Sequence, residues 1–106
     1  MTRAEAEALI ARILRDEIPL ERTTHACESM GRRGYTMHDL RAILRVHTME
    51  SPPEWNEVCS DYRVSLTGKC LEGRRSRVIL GLRQDGPCVL VTVMTVTAAR
   101  RAGRRY

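Results

Sequence analysis

A histidine and a large set of arginines are the residues of this chain with the most distinctive chemistry. His25 lies near the start of the segment TTHACESMGRRG, and Lys69 is the only lysine among 18 basic residues. Imidazole groups, with an ordinary pKa of about 6.5, act as general bases, and guanidinium groups bind phosphate. Metal-independent RNA cleavage needs a base for the 2′-hydroxyl, a proton donor and cations. We interpret His25 as a candidate base or, alternatively, as a helix-start histidine bonded to the backbone.

The basic charge of the chain is high. The formal net charge is +5 at neutral pH, and the isoelectric point is near 9.5. Arginine in this excess is typical of proteins that bind phosphate or carboxylate groups, although a GC-rich genome produces the same bias. A block at the end of the chain is typical of a solvated tail or of contact with a polyanion, and it contains Arg100, Arg101, Arg104 and Arg105.

Length and hydropathy limit the class of protein. A chain of 106 residues supports one hydrophobic core, so we predict a single domain over residues 1–99 and a basic C-terminal tail over 100–106. The longest apolar runs are far shorter than the ~20 residues that span a bilayer. Glu5, Glu7 and Arg12 interrupt the N-terminal apolar pattern, unlike in a signal peptide. We therefore expect no membrane segment and a cytoplasmic location.

The first half of the chain has the periodicity of helices. We predict one helix after Thr2 that Pro19 ends, a short one after Thr24 that Gly34 ends, and one after Thr36. We also expect the second and third helices to form a compact hairpin. The apolar faces of the first and third helices contain Ala6, Leu9, Ile10, Ile13, Leu14, Met37, Leu40, Ile43 and Leu44.

The second half alternates with the period of two that is typical of strands. We predict strands over 58–67, 76–82 and 88–97, with a loop at 54–57. The alternation predicts one face with Tyr62, Val64, Leu66, Val78, Leu80 and Leu82, and another with Arg63, Ser65, Thr67, Arg75, Arg77 and Ile79. The last strand is apolar on both faces and belongs in the sheet centre. The predicted fold is α+β, with N-terminal helices packed on a three- to four-stranded antiparallel sheet.

The cysteines and the remaining histidines carry no metal-binding pattern. The chain has no Cys-x-x-Cys pair and no histidine at zinc-finger spacing. We therefore predict reduced thiols, no metal and no cofactor. We interpret Cys27, Cys59 and Cys88 as small buried hydrophobic residues, and we expect His38 and His47 to be solvated.

Four segments of the chain resemble a known family. They are TTHACESMGRRGYTMHDLRAIL, DYRVSL, GRRSRVILGL and VLVTVMTV, which fall between about Thr23 and Thr97. These segments are similar to the bacterial domain of unknown function family 4258. Members of that family look like relatives of the RelE and MqsR toxins, which are small ribonucleases of toxin–antitoxin pairs, and the ending ARRAGRRY is similar to the tails of BrnT toxins. The resemblance implies a RelE-like fold and an antitoxin partner.

The resemblance also implies roles for particular residues. His25, Arg33 and Arg77 match a histidine and two basic positions of the family, so they are candidate catalytic residues. Ser29 and Thr97 depart from the pattern, where the family is expected to have an arginine and an aromatic residue. We expect Arg33, Arg77 and neighbouring arginines to converge on one sheet face, unless they are ordinary exposed charges. The residues expected to bind RNA or phosphate are Arg63, Lys69, Arg74, Arg75, Arg100, Arg101, Arg104 and Arg105.

Two functions are compatible with these observations. The first is a toxin–antitoxin-type, mRNA interferase-like toxin that cleaves RNA without a metal and that an antitoxin holds inactive. The second is a non-catalytic binding or inhibitor module, for example phage-encoded, that grips nucleic acid or an acidic protein through its arginines. Trp55, the only tryptophan, is interpreted as a partner-binding anchor or as a lid over the core. A homodimer is compatible with either function.

Overall fold

A computed structural model gives the structure of residues 1–96, which form an α+β fold. Within these residues, three helices pack on one mixed sheet of six strands. None of these helices is long and apolar enough to cross a membrane. The predicted class, with N-terminal helices packed on a sheet, is confirmed. The elements are α1 (Arg3–Leu14), β1 (Leu20–Arg22), α2 (Thr24–Arg33), α3 (Met37–Val46), β2 (Thr48–Met49), β3 (Glu54–Asn56), β4 (Asp61–Lys69), β5 (Arg75–Leu82) and β6 (Cys88–Thr95).

Local sequence signals start and end the helices. The predicted capping boxes form at the starts of α1 and α3, where a threonine and a glutamate or aspartate exchange hydrogen bonds with the backbone. Thr23, rather than Thr24, caps α2. Gly34 ends α2 with φ at 71°, in the left-handed region where a β-carbon introduces strain. α1 ends at Leu14, ahead of Pro19.

The sheet contains more strands than the sequence indicates. Its order is β1-β6-β5-β4-β2, and β3 also pairs with β4. β4, β5 and β6 form the predicted antiparallel meander, but β1 adds to β6 in parallel, with Leu20 opposite Cys88. The sheet therefore has six strands and one parallel pair, where the sequence predicted three to four antiparallel strands. The additional strands are two or three residues long, which is too short for an alternating pattern to be recognised.

The two faces of the sheet have different surroundings. α2 packs on β6, and α3 packs on β4, from the side whose side chains form the core. We call this the covered face, and its buried apolar residues on β4, β5 and β6 are Val64, Leu66, Val78, Leu80, Leu82, Cys88, Leu90 and Val93. No helix of residues 1–96 packs on the opposite side. We call that side the helix-free face, and its residues on β4 and β5 are Asp61, Arg63, Ser65, Thr67, Lys69, Arg75, Arg77, Ile79 and Gly81.

The predicted hairpin of the second and third helices is not formed. α2 makes its main contacts with β6, while α3 contacts β4 and α1. Ala26 and Met30 of α2 are buried in the same core as Leu40 and Ile43 of α3. The two helices therefore pack on the sheet rather than mainly on each other.

The first strand of the meander also begins later than the sequence predicted. The segment Glu54–Asn56, expected as a loop, forms β3 on the edge of β4. Val58, expected inside the first strand, lies instead in a turn between β3 and β4 and is 94% exposed. Ser60 in that turn has φ at 52°, so the chain reverses direction there rather than continuing as a strand.

Two cysteines and one histidine lie in other environments than expected. Cys27 and Cys59 are exposed, so their interpretation as buried residues was wrong, whereas Cys88 is buried as expected. His47 is not solvated: its Nε2 atom lies 2.5 Å from Oε1 of Glu7, and its other ring nitrogen contacts a backbone carbonyl oxygen of α3. This histidine therefore links α1 to the end of α3.

Candidate nucleic-acid interface

Strands β4 and β5 place four basic side chains on the helix-free face. The antiparallel register sets Lys69 opposite Arg75, and Thr67 opposite Arg77. Arg63 lies four residues before Thr67 on the same face, about 13 Å away along the strand. The predicted alternation of both strands is confirmed, because every second residue turns towards the core. The basic residues therefore form a stripe that crosses one side of the sheet.

Lys69 and Arg75 form an opposed pair of like charges. They are direct partners in the β4–β5 ladder, and both are exposed. Neither forms an ion pair with any carboxylate of residues 1–96. Like charges directly opposite each other on a sheet repel and destabilise the pair. An anion between the two side chains relieves this repulsion, so the pair is suited to bind a phosphate group.

Arg77 extends the positive charge beyond this pair. It lies two residues after Arg75 on the same face, about 7 Å further along the strand. Its Nη2 atom is 3.5 Å from Oε1 of Glu50, and the two side chains are 31% and 53% exposed. The Nε atom of Arg77 is buried without a hydrogen-bond partner among the described residues. An exposed ion pair of this kind contributes about 0–1 kcal/mol, so Glu50 does not prevent Arg77 from binding a second anion.

Arg63 is held by a buried carboxylate. Its Nε and Nη2 atoms lie 2.8 Å and 3.4 Å from the two carboxylate oxygens of Asp61, which is 2% exposed. The carboxylate lies over Gly81 of β5, where a β-carbon would overlap with Oδ2 of Asp61. A fork of this kind is a strong charge-assisted interaction. Arg63, a predicted phosphate ligand, therefore has an internal partner and adds less free positive charge than Lys69 or Arg75.

The remaining side chains of the helix-free face on β4 are small and hydroxylic. Ser65 and Thr67 lie between Arg63 and Lys69, and Ile79 of β5 is opposite Ser65. Serine and threonine hydroxyls hydrogen-bond phosphate oxygens and ribose 2′-hydroxyls. The aromatic residues among 1–96 lie elsewhere, so this face offers contacts to a nucleic-acid backbone rather than platforms for stacked bases.

Arg33 is the last residue of α2, and Arg74 contacts it from the loop before β5. Both lie away from the stripe. Arg33 is exposed, and its carbonyl oxygen accepts a hydrogen bond of 2.8 Å from Nη1 of Arg74. The Arg74 guanidinium lies 4.3 Å from the centre of the Tyr35 ring, in a cation–π arrangement. The Tyr35 hydroxyl in turn lies 2.6 Å from Oγ of Ser76 on the covered face. Arg74 therefore fastens the loop before β5 to the end of α2.

His25 lies in the first turn of α2. Its Nε2 atom is 3.4 Å from Oγ of Ser29, a buried residue that Arg32 also approaches at 3.5 Å. Arg33 lies eight positions after His25 in the helix, which corresponds to about 12 Å along the axis. α2 packs on the covered face, whereas Arg77 belongs to the helix-free face. The three predicted catalytic residues are therefore not brought together within residues 1–96.

Trp55 lies on the other side of the sheet from the basic stripe. It pairs with Tyr62 across β3 and β4, and the two rings meet edge to face with centroids 5.0 Å apart. Tyr62 follows the alternation of the covered face, so Trp55 is on that side too, 52% exposed. Both rings line an open cavity of about 560 Å³ at the end of the sheet, together with Glu5 and Arg83. Any partner that contacts Trp55 therefore approaches a different surface from that of Lys69 and Arg75.

One group of potential metal ligands lies beneath the turn between β4 and β5. Ligand atoms of Asp39, Cys70 and Glu72 lie within 4.8 Å of one another. The Asp39 carboxylate, however, already accepts hydrogen bonds from Thr36 and from the backbone N–H of Leu71, and Glu72 pairs with the guanidinium of Arg74. Hydrogen-bond donors and a guanidinium therefore already occupy the two carboxylates. The group is suited to stabilise the turn rather than to hold a metal ion.

Backbone hydrogen bonds set the ionisation of Asp39. The N–H of Thr36 is the largest cause that holds the pKa of this carboxyl below its ordinary value of 3.8. Burial opposes this effect, while the Thr36 hydroxyl, the Leu71 N–H and the charge of Arg74 lower the pKa further. The buried thiol of Cys88 shows the opposite direction, since burial raises its pKa.

The comparisons with known proteins leave the family open. No family model, no curated protein and no solved structure matches the chain. The resemblance to domain family 4258 and to RelE-like toxins therefore stays a prediction. The basic block Arg100–Arg105 and the departure at Thr97 lie outside the described residues.

Two carboxylates of the interface, Glu50 and Asp61, were not among the predicted site residues. Glu50 follows a two-residue strand and precedes a Ser-Pro-Pro loop, where no periodic pattern marks a position. Asp61 stands two residues before Arg63 in the sequence. That spacing on a strand places both on one face and is a signal that identifies the pair. The burial of Asp61 against Gly81 depends on pairing with β5, which a single strand cannot reveal.

Proposed function

We propose that this protein binds RNA along the helix-free face of its sheet, mainly through the phosphate backbone. The observation that carries the proposal is the opposed pair Lys69 and Arg75, both exposed and without a carboxylate partner among residues 1–96. Arg77 continues this charge along β5. Cations in a row fit a polyanion whose charges repeat along a chain. Ser65 and Thr67 supply hydroxyl groups beside them, which can hydrogen-bond the ribose 2′-hydroxyl.

The chemistry of the face favours RNA over an acidic folded protein. Protein interfaces gain most of their affinity from aromatic or aliphatic anchors that are buried at the centre of the contact. The one exposed tryptophan, Trp55, is on the covered side of the sheet. Apart from the buried Asp61 carboxylate and Gly81, the helix-free face on β4 and β5 consists of cations, hydroxyl groups and one half-buried isoleucine, Ile79. These groups match phosphates and sugars better than they match apolar side chains.

Titration of a fluorescein-labelled oligouridine, followed by anisotropy over a series of salt concentrations, tests the proposal. Three phosphate contacts predict a slope of about −2 for log K against log salt, because each contact to a single strand contributes about −0.7. Lys69→Ser or Arg77→Ser should weaken binding and make the slope shallower by about 0.7. Arg22→Ser is the matched control, since Arg22 is an exposed arginine at the opposite edge of the sheet. Equal losses in the control and in the stripe variants would refute the proposal.

RNA cleavage is a second candidate, and the pairing of Glu50 with Arg77 favours it. A carboxylate can accept the proton of a 2′-hydroxyl, whose oxygen then attacks the phosphorus, while an adjacent guanidinium stabilises the charge on the phosphorane. The P–O5′ bond breaks to leave a 2′,3′-cyclic phosphate, and the protonated carboxyl returns its proton to the leaving 5′-oxygen. Glu50 and Arg77 lie 3.5 Å apart at the edge of the same face. This arrangement gives the base role to Glu50 rather than to the distant His25. Under this candidate, the protein is a metal-independent, mRNA interferase-like toxin that an antitoxin partner holds inactive.

Induced expression in bacteria and an RNA cleavage assay in a buffer with chelator test this candidate. Growth arrest with RNA cleavage is expected for the native chain. Glu50→Gln should abolish cleavage but retain oligouridine binding, because it removes the base and leaves the cations. Glu28→Gln, at an exposed position on α2, is the control and should cleave normally. Normal growth without cleavage by the native chain would eliminate the toxin and leave the binding function.

A further inference from the structure

A groove runs along the sheet edge next to the end of α3. On this edge β2 pairs only with Leu66 and Thr67 of β4. Within residues 1–96, the following Gly68 and Lys69 have no strand neighbour on that side. The groove has a volume of about 600 Å³. We call it the edge groove, and its lining residues include Val46, Gly68, Lys69, Leu71 and Arg75.

The walls of the edge groove are unusually apolar for a surface. Val46 is 63% exposed and Leu71 is 66% exposed. They are two of the five large hydrophobic residues that residues 1–96 expose, and they face the same groove. Apolar side chains that are grouped in this way, with polar residues around them, mark interaction sites.

One lining residue of the edge groove, Gly68, lies beside α3. A β-carbon at Gly68 would lie 3.0 Å from the carbonyl oxygen of Ile43 and 3.5 Å from Cγ2 of Val46. α3 therefore lies directly against the strand at this point, and no side chain of β4 separates them. The edge of β4 after Thr67 has no paired strand among residues 1–96, so it is accessible to another extended segment.

The two sides of the edge groove differ in charge. Val46 belongs to α3, on the covered side of the sheet, whereas Lys69 and Arg75 project on the helix-free side. None of the groove's lining residues among 1–96 carries a carboxylate. An extended segment presents alternate side chains to the two sides of a sheet. A strand with alternating apolar and acidic residues thus meets apolar walls on one side and cations on the other.

We propose that the edge groove binds an extended, acidic segment of a partner protein that adds to the free edge of β4. Backbone hydrogen bonds to β4 give this segment its direction, and its apolar side chains pack against Val46 and Leu71. Its carboxylates approach Lys69 and Arg75. The site goes beyond the proposed binding of RNA, because the two apolar residues that define it have no role there.

Synthetic labelled peptides test the groove directly. The probe alternates valine and glutamate, and two further peptides have lysine in place of glutamate or the same residues in two blocks. Of the three peptides, only the alternating acidic one should bind the protein, as measured by fluorescence anisotropy. The double variant Val46→Ser, Leu71→Ser should raise its Kd about tenfold or more, which corresponds to the loss of two apolar contacts. Val58→Ser is the matched control, since Val58 is an exposed valine outside the groove, and it should bind as the native chain does.

Four outcomes would overturn the proposal. One is equal binding of the peptide by the double variant and by the Val58 control, once circular dichroism shows that both are folded. Another is equal binding of the lysine peptide, which would remove the role of Lys69 and Arg75. Loss of oligouridine binding in the double variant would show that the groove holds nucleic acid instead. A native dimer that the double variant converts to a monomer would show that a second copy of the chain occupies it.

Discussion

The covered face and the helix-free face of the sheet use neighbouring residues of the same strands for different purposes. On β5, Val78 and Leu80 have no exposed surface, while Arg77 and Ile79, which alternate with them, are half-buried. The two sets alternate because successive side chains of a strand point to opposite sides. The residues of the covered face pack against the helices, and those of the helix-free face include the basic side chains. Stability and binding should therefore respond to different substitutions within a single strand.

The largest expected effect concerns the core side of β5. Leu80→Ala should lower the free energy of unfolding by about 2–5 kcal/mol, since it opens a cavity between the sheet and the helices. Ile79→Ala, one residue earlier on the helix-free face, should lower it by less than about 1.5 kcal/mol because its side chain is only partly removed from water. Urea denaturation of both variants measures the difference. Equal losses would mean that both faces are packed alike.

The next effect concerns the buried ion pair of the helix-free face. Gly81→Ala should destabilise the protein by about 1–3 kcal/mol, because the new methyl group overlaps with the Asp61 carboxylate and comes within 2.9 Å of Cγ2 of Val89. Gly86→Ala is the control, because among residues 1–96 its β-carbon would meet the side chain of Arg83, at 3.4 Å or more. This control should change the free energy of unfolding by about 0.5 kcal/mol or less. Thermal and urea unfolding compare the two. A stable Gly81→Ala variant would show that the Asp61 carboxylate moves away freely.

A smaller, pH-dependent effect concerns Asp39 at the start of α3. Its pKa in the folded protein is below the ordinary value of 3.8, so its stabilising effect is present above that value and is lost as the pH falls through the folded pKa. Asp39→Asn should cost about 1–2 kcal/mol at neutral pH through the weakened cap. This difference from the native chain should shrink in acid below pH ~4. Asp85→Asn, in an exposed turn, is the control. A difference that is independent of pH would contradict the account.

The smallest effect on stability concerns the basic stripe. Lys69→Ser should change the free energy of unfolding by no more than about 0.5 kcal/mol, as is usual for exposed positions. The direction should be a slight gain, because the substitution removes repulsion with Arg75. Unfolding at low and at high salt measures this, and the gain should disappear at high salt. A clear loss of stability would mean that Lys69 has a structural partner.

Much of the fold follows from short-range patterns. The capping boxes at Thr2 and Thr36 and the left-handed Gly34 depend only on neighbouring residues, and the sequence is sufficient to predict them. Alternation likewise predicts which residues of β4 and β5 face the core. β1 and β2, in contrast, consist of three and two residues whose extended form depends on their partners in the sheet.

The candidate interface was predictable only in part. Alternation places Arg75 and Arg77 on one face, but the pairing of Lys69 with Arg75 depends on the β4–β5 register, which the turn between them sets. The position of His25 depends on how α2 packs. Because α2 lies on β6 from the covered side, a linear pattern does not show that His25 and Arg77 are on opposite sides of the sheet.

The most direct test of RNA binding at the helix-free face is heteronuclear NMR of the labelled protein during titration with oligouridine. We expect amide shifts to change most at Ser65, Thr67, Lys69, Arg75 and Arg77, with α2 and the surroundings of Trp55 unaffected. Changes that centre on His25 and Ser29 of α2, with the β4 and β5 amides unchanged, would contradict it.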